Sequence, residues 1–283
     1  GSAVAVAGGY CDFALGTDTG GSVRVPASFC GIYGIRPTHG RLDLSGMVPQ
    51  APSSDTAGWF SRSAKTLARV SQILYKADIP ERLPKRLLIA HDAFASSDDT
   101  VQAALAPKLK RLSELFDEVT EVDMAPDGLV QWSKAQRTIQ PTEGWQTFNK
   151  WIDQHNPRMS YTVARNLFLA SQISQSDLDA AQLVKQRAIT RMKALLPHGT
   201  LLCLPTTPFC APKVGLPVHQ TDHLRTQISV LCCHGGLTGV PQVSIPGGTV
   251  GQDHAPVGLS IVAGHNYDAD LLAVALALES RHD

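Results

Sequence analysis

A glycine-rich segment near the amino terminus carries the residue types that nucleophilic catalysis needs. Within residues 16–26, two adjacent glycines, Gly20 and Gly21, directly precede Ser22. Because glycine has no Cβ, the backbone can turn tightly here, and successive N–H groups of such a turn can point to one spot and bind negative charge. A serine hydroxyl at the edge of that spot could attack a carbonyl carbon while the N–H groups hold the oxyanion.

The pattern predicts four backbone N–H groups as oxyanion donors. They belong to Thr19, Gly20, Gly21 and Ser22. Each such donor can lower a barrier by about 3 kcal/mol. The simpler alternative is a surface turn capped by Ser22, since serine is a common N-cap. A phosphate-binding loop is disfavoured because the Gly-x-x-x-x-Gly-Lys-Ser/Thr pattern is absent, and the Gly-x-Ser-x-Gly nucleophile elbow is absent as well.

Further motifs along the chain, taken together with this one, resemble the amidase signature family of serine hydrolases that cleave carbon–nitrogen bonds. The matching segments are residues 1–7, 16–26, 29–38, 55–63, 204–208, 237–241 and 256–260. They flank a variable helical middle at about 97–197, and the first 40 residues are similar to indole-3-acetamide hydrolase-type amidases. The resemblance implies a single α/β domain over residues 1–283, with a mixed, twisted β-sheet covered by α-helices.

The resemblance also implies roles for individual residues. Ser22 matches the nucleophile of a Ser–Ser–Lys triad, and residues 19–22 match the oxyanion-hole loop. Asp18 and Arg24 match charged residues that brace this loop, a role compatible with an ordinary partly buried ion pair. The implied reaction is hydrolysis of a small-molecule amide through an acyl-enzyme on Ser22, with no cofactor and no metal.

The bridging serine and the lysine of the family's triad lie on the amino-terminal side of the nucleophile, before Gly1 in this numbering. Gly1-Ser2 matches the end of the Gly- and Ser-rich run that holds the bridging serine, and no lysine here matches the family position. We therefore expect residues 1–283 to carry one third of the triad, and an N-terminal segment or second chain to complete the fold. Without a base, Ser22 is a weak nucleophile.

Two other functions share this signature. One is a non-catalytic chain or fragment of the same fold that binds a partner or a ligand. The other is the amidotransferase subunit of a tRNA-dependent complex. The sequence upstream of Gly1 would separate the enzyme from the non-catalytic chain, and copurifying partner chains would identify the amidotransferase.

Composition disfavours several classes of protein. The 283 residues include 25 Lys+Arg and 25 Asp+Glu, and zero net charge is not the basic footprint of proteins that bind nucleic acid or anionic lipid. Hydrophobic residues make up 43% of the chain, which argues against disorder. Six cysteines without a C-x-x-C pair predict reduced thiols in a cytoplasmic protein. The longest apolar run, residues 271–278, is too short for a membrane helix.

Two groups of histidines could indicate a metal site or a nucleophile pair, but each has a simpler structural explanation. His219 and His223 are four apart, as two metal ligands on a helix face would be, but no glutamate lies between them in the His-Glu-x-x-His pattern, and we expect an exposed loop pair. His234 follows Cys232 and Cys233, which could suggest a Cys–His nucleophile pair. Adjacent cysteines in an apolar run are more often packed thiols.

Aromatic side chains of the helical middle are candidates to line a substrate pocket, although a core role is the default. They are Trp132, Trp145, Phe148, Trp151 and Tyr161. By the resemblance, this middle and the loop near residues 205–210 shape the substrate site.

The elements that must position these residues follow from hydrophobic periodicity. Residues 1–60, rich in Gly, Ser, Thr and Pro, predict loops with tight turns. Apolar residues at spacings of three and four predict helices that begin at Ser61 and at about residue 100, and others over about 158–170, 177–196 and 267–280. Strands are predicted at residues 85–90, 119–122 and 201–204, and the continuous apolar runs at 243–246 and 257–262 predict buried strands. Such alternation indicates a layered α/β fold.

Overall fold

One mixed β-sheet runs through the described part of the chain. The computed structural model describes residues 1–280. The strands in that part are β1 (Phe13–Thr17), β2 (Tyr33–Arg36), β3 (Ala57–Ser61), β4 (Arg86–Ala90), β5 (Glu118–Val122), β6 (Thr200–Pro205), β7 (Gln242–Val250) and β8 (Ala255–Val262). Their order is β1-β3-β2-β7-β8-β6-β4-β5. β4 is parallel to β5 and β6, and the other neighbouring pairs are antiparallel.

Helices cover this sheet. Over residues 1–280 they are α1 (Ser2–Ala7), α2 (Arg24–Cys30), α3 (Ala64–Tyr75), α4 (His91–Ala95), α5 (Asp99–Ser113), α6 (Leu129–His155), α7 (Tyr161–Ser171), α8 (Gln175–Leu195), α9 (Val218–Thr238) and α10 (Asp268–Ser280). The expected α/β fold with a mixed sheet under helices is confirmed. No helix of the described residues is long and apolar enough to cross a membrane.

Two large apolar clusters lie on opposite faces of the sheet. Consecutive residues of a strand point to opposite faces, and Leu201 and Leu202 of β6 accordingly belong to different clusters. The first cluster joins α3, α5 and α10, and the second joins α6, α8 and α9. Because both faces of β6 are covered, all of its residues are buried, as expected for a central strand.

The first 60 residues are more regular than predicted. The expectation of loops is wrong where α1, β1, α2, β2 and β3 lie. The strands were not predicted because they contain glycines, which have low strand propensity. Gly58 of β3 lies so close to the Ile35 carbonyl oxygen of β2 that a Cβ would collide with it. This glycine therefore marks close backbone approach within the sheet rather than a turn.

Most other predicted elements are present with shifted ends. The helix predicted from Ser61 begins at Ala64, because Ser61 ends β3 and Ser63 is the N-cap that accepts a hydrogen bond from the Thr66 N–H. α9 was not predicted. Its carboxyl-terminal residues, 231–238, are all buried, and they include His234, Thr238 and two glycines, so no exposed polar face marks a helical period.

Candidate active site

Ser22 lies in the turn that connects β1 to α2. Strand β1 ends at Thr17 and helix α2 begins at Arg24. The Ser22 side chain is exposed, and its hydroxyl makes no hydrogen bond within residues 1–280. The hydroxyl is therefore open to a substrate, while the backbone on either side of it is fixed by the contacts described next.

The carboxylate of Asp18 organises this turn. Asp18 Oδ1 accepts a hydrogen bond from the Gly21 N–H at 2.8 Å, and Oδ2 accepts from the N–H groups of Val23 and Arg24 at 3.2 and 3.3 Å. Asp18 is completely buried. Three backbone donors on one carboxylate therefore set the path of the chain on both sides of Ser22.

Two buried guanidinium groups neutralise Asp18. Arg24 makes a two-point contact, with Nε 3.0 Å from Oδ2 and Nη2 2.9 Å from Oδ1. Arg36 Nη1 lies 3.2 Å from Oδ1 and also donates to the Asp18 carbonyl oxygen. Burial raises the pKa of Asp18, but the two guanidiniums and the Val23 N–H outweigh it and hold that pKa well below its usual value. Burial lowers the pKa of Arg36 to about 10 despite the attraction of Asp18, so both arginines are charged at neutral pH.

A second carboxylate, that of Asp55, contacts the same turn at Thr19. Thr19 Oγ1 donates to Asp55 Oδ1 at 2.6 Å. Asp55 Oδ2 accepts from the N–H groups of Gln50 and Ala51 at 2.7 and 2.8 Å. The turn before Ser22 is therefore held by two buried carboxylates, through the backbone by Asp18 and through the Thr19 side chain by Asp55.

Three of the four predicted oxyanion donors have no acceptor within residues 1–280: the N–H groups of Thr19, Gly20 and Ser22. The Gly21 N–H already donates to Asp18. Gly21 instead contributes its backbone conformation, because its φ of +123° is strained for any residue with a side chain. A Cβ at Gly21 would also lie 3.1 Å from Cys232 Cβ.

A buried network of polar side chains holds Arg24 from behind. Gln242 Oε1 accepts from Arg24 Nη1 at 2.7 Å and from His234 Nε2 at 2.8 Å. Gln242 Nε2 donates to Ser260 at 2.7 Å, and the hydrogen bonds continue from Ser260 to Thr206 and on to Ser244. Burial, aided by the charge of Arg24, lowers the pKa of His234 to about 3. His234 is therefore a neutral donor.

The sequence analysis assigned no role in this site to three of its residues, Arg36, Asp55 and Gln242. Arg36 and Asp55 lie inside matching segments, which was the available signal, but nothing assigned them to Asp18 and Thr19. Gln242 lies 218 positions from its partner Arg24. Local periodicity carries no information about such pairs.

The other sequence candidates lie elsewhere or have structural roles. His219 and His223 are exposed on α9, a helix rather than the predicted loop. Cys232 and Cys233 are buried thiols, as expected. Burial raises the pKa of Cys232 to about 11, and its Sγ donates to the Thr206 carbonyl oxygen at 3.4 Å rather than contacting His234. The geometry therefore contains no Cys–His nucleophile pair at these positions.

The predicted pocket residues differ in burial, and Trp145 and Phe148 are half-buried. Trp132 is buried in the second apolar cluster, which confirms a core role. Trp151 and Tyr161 are exposed. In the predicted substrate loop, Thr206 and Thr207 are fully buried, and Thr207 Oγ1 lies 2.9 Å from Ser28 Oγ. These two threonines are therefore buried structural residues rather than an open surface for a substrate.

Two clefts lie at different positions relative to the Ser22 turn. One, of about 230 Å³, is lined by residues such as Met192 and Tyr267 and includes none of residues 18–22. The other, of about 370 Å³, runs along the end of β1, where Gly16 and Thr17 line it. Because Thr17 directly precedes Asp18, the second cleft adjoins the Ser22 turn along the chain.

Comparison with known proteins identifies the family of the chain. A family model described as Amidase matches residues 1–272. Amidase 1 of Arabidopsis thaliana is 33% identical, over 98% of the chain and 72% of its own length. A glutamyl-tRNA(Gln) amidotransferase chain of Thermus thermophilus is 31% identical, over 99% of the chain and 66% of its own length.

A solved structure described as a crystal structure of amidase has the same fold, with a TM-score of 0.86 at 28% identity. The match covers 99% of the chain but 65% of that structure. The chain therefore spans about two thirds of the length of these relatives.

Proposed function

Because the chain belongs to the amidase family, we propose that the protein hydrolyses an amide bond of a small molecule and that Ser22 is the nucleophile. One observation carries the proposal. The open hydroxyl of Ser22 lies on a turn, fixed by Asp18, that leaves neighbouring N–H groups without acceptors among residues 1–280. A nucleophile beside preorganised donors is the arrangement that acyl transfer requires.

The proposed reaction has two steps. Ser22 Oγ attacks the amide carbonyl carbon, and the N–H groups of Thr19, Gly20 and Ser22 stabilise the oxyanion. The C–N bond then breaks, the amine leaves with a proton, and the acyl group stays on Ser22 as an ester. Water attacks the ester, releases the carboxylic acid and restores the hydroxyl. Asp18 and Arg24 act by holding the turn rather than by touching the substrate.

The first step needs a base that takes the Ser22 proton, since a neutral hydroxyl is a weak nucleophile. We propose that this base is the serine–lysine pair implied by the family resemblance, supplied from the amino-terminal side of residue 1 or by a second chain. A cytoplasmic enzyme is part of the proposal, because all six cysteines are free thiols and disulfides are rare in that compartment.

The second candidate is a chain of a tRNA-dependent amidotransferase, favoured by the 31% identity with the Thermus thermophilus protein. Such a chain works with partner chains. Size-exclusion chromatography of the native protein separates the two functions: an amidase purifies active by itself, whereas an amidotransferase chain elutes with partners and needs them for turnover.

The test of the nucleophile is a Ser22→Ala substitution in the whole protein. We expect amide turnover to fall at least about 1000-fold, measured as ammonia released from butyramide and phenylacetamide. The melting temperature should stay unchanged because the side chain is exposed and makes no described hydrogen bond. Ser176→Ala, at an exposed serine of α8, is the matched control with full turnover. Retained turnover in Ser22→Ala removes Ser22 as the nucleophile.

A further inference from the structure

Helix α6 brings a side-chain amide against the loop that precedes Ser22. A Cβ placed on Gly20 would lie 2.9 Å from Gln140 Oε1 and 3.9 Å from Gln140 Nε2. Gln140 is half-buried, so its amide is shielded on one side and open on the other. No residue type or spacing in the sequence singled out Gln140, because Gly20 and Gln140 are far apart in the chain.

The hydrogen bonds around Gln140 fix which way its amide points. The Gly236 carbonyl oxygen can only accept, so Ser54 Oγ donates to it, at 3.2 Å. The Ser54 oxygen then accepts from Gln136 Nε2 at 3.2 Å. Gln136 Nε2 also donates to Gln140 Oε1 at 3.4 Å. The oxygen of the Gln140 amide therefore faces the protein, and its nitrogen is left as a donor.

The partner Gln136 is buried beside the Ser22 turn. It is 2% exposed, its Nε2 makes both of the hydrogen bonds just described, and a Cβ at Gly236 would lie 2.5 Å from both Gln136 Nε2 and the Thr19 carbonyl oxygen. The glycine of α9 thus makes room for this amide beside the Ser22 turn. Gln140 Nε2, in contrast, has no acceptor within residues 1–280.

We propose that Gln140 contacts the substrate and determines its specificity. The Gln140 Nε2 group donates a hydrogen bond to an acceptor atom on the acyl part of the amide. Gln140 Oε1 lies 2.9 Å from the position of a Cβ on Gly20, so the amide flanks the loop that carries the oxyanion donors. Amides that carry an oxygen next to the acyl α-carbon are therefore preferred over those with hydrocarbon acyl groups. This inference rests on the proposed function.

The experiment compares two amides of equal length in the whole protein: methoxyacetamide, and butyramide, which has CH₂ in place of the ether oxygen. The quantity measured is the ratio of their kcat/KM values, in which intrinsic reactivity cancels between variants. Gln140→Leu should lower the preference for methoxyacetamide about fivefold to tenfold, as expected for one neutral hydrogen bond. Gln146→Leu, at an exposed glutamine of the same helix, should leave the ratio unchanged. Gln140→Met is the second variant, nearer in shape, should Gln140→Leu fail to fold.

The outcomes separate the inference from the proposed function. An equal loss of kcat/KM for both amides, or an unchanged ratio, overturns the specificity role and leaves the amidase proposal intact. If the unsubstituted protein hydrolyses neither amide, ligand-observed NMR with the Ser22→Ala protein decides. Preferential binding of methoxyacetamide that disappears in the Ser22→Ala/Gln140→Leu protein supports the inference and refutes only the proposed turnover. Absence of that preference overturns both.

Discussion

Replacement of Asp18 by asparagine tests whether one carboxylate holds the Ser22 turn. Asparagine keeps the size of the side chain but removes the charge that Arg24 and Arg36 face at 2.9 and 3.2 Å. All three side chains are fully buried. Removal of one partner from a buried ion pair costs about 3–5 kcal/mol, because the remaining charge is left without compensation.

This cost converts to a measurable shift in melting temperature. A chain of 283 residues has an unfolding entropy of about 0.6 kcal/mol/K, from about 2.1 cal/mol/K per residue. The expected shift in Asp18→Asn is therefore about −5 to −8 °C, measured by differential scanning calorimetry at pH 7. The matched control is Asp12→Asn, because Asp12 pairs with Arg62 on the surface, at 87% and 42% exposure. Such exposed pairs contribute about 0–1 kcal/mol. Equal shifts in the two variants would refute the bracing role of Asp18.

The stability difference between the native protein and Asp18→Asn should also depend on pH. The pKa of Asp18 is lower in the folded protein than in the unfolded chain, where it is about 3.9. Its contribution to stability is therefore complete above about pH 4 and is lost as the pH falls towards the folded-state pKa. The difference in the free energy of unfolding between the native protein and Asp18→Asn should be constant from pH 5 to 8. Below pH 4 this difference should shrink by about 1.4 kcal/mol per pH unit. A difference that is constant down to pH 3 would contradict the assignment.

Two further predictions concern the packing behind the turn. His234 has a folded-state pKa of about 3 and an unfolded value of about 6.5, so the unfolded chain binds more protons below pH 6.5 and stability must fall with acidification. The test is His234→Gln, which keeps a donor for Gln242. In urea unfolding, its free energy of unfolding should fall between pH 7 and 5 by about 2 kcal/mol less than that of the native protein. Equal decreases in the two proteins would exclude a neutral buried imidazole. Gly236→Ala should destabilise the protein by about 1–3 kcal/mol, because the new Cβ would lie 2.5 Å from the Thr19 carbonyl oxygen. Gly144→Ala, in α6 with only a 3.4 Å contact, should stabilise it by about 0.5–1 kcal/mol; stabilisation by Gly236→Ala as well would show that the close approach at Gly236 carries no cost.

The candidate site was predictable from the sequence only where its residues are neighbours in the chain. The glycine pair, Ser22, and the ion pair of Asp18 with Arg24 all lie within residues 16–26, so a local pattern could indicate them. The Thr19–Asp55 and Arg24–Gln242 contacts join residues 36 and 218 positions apart. Contacts of that kind depend on how strands from both ends of the chain meet in one sheet, which no spacing in the sequence encodes.

The fold was predictable where apolar residues form runs or recur with a helical period. The strands β4, β6, β7 and β8 lie in apolar runs, and the helices α3, α5, α8 and α10 follow apolar patterns. β2 and the carboxyl-terminal part of α9 were missed because buried polar residues such as Arg36 and His234 interrupt their apolar pattern. β1 was missed because Phe13 and Leu15 are exposed, so this short strand does not show the alternation of a buried and a polar face.

Covalent labelling tests whether Ser22 is the nucleophile. The whole protein is treated with a fluorophosphonate probe, digested, and mapped by tandem mass spectrometry. We expect that the probe forms a covalent bond to Ser22 Oγ with loss of fluoride, that label accumulates in parallel with the loss of amidase activity, and that Ser22→Ala takes up none. Complete inactivation with the label on another residue would contradict this expectation.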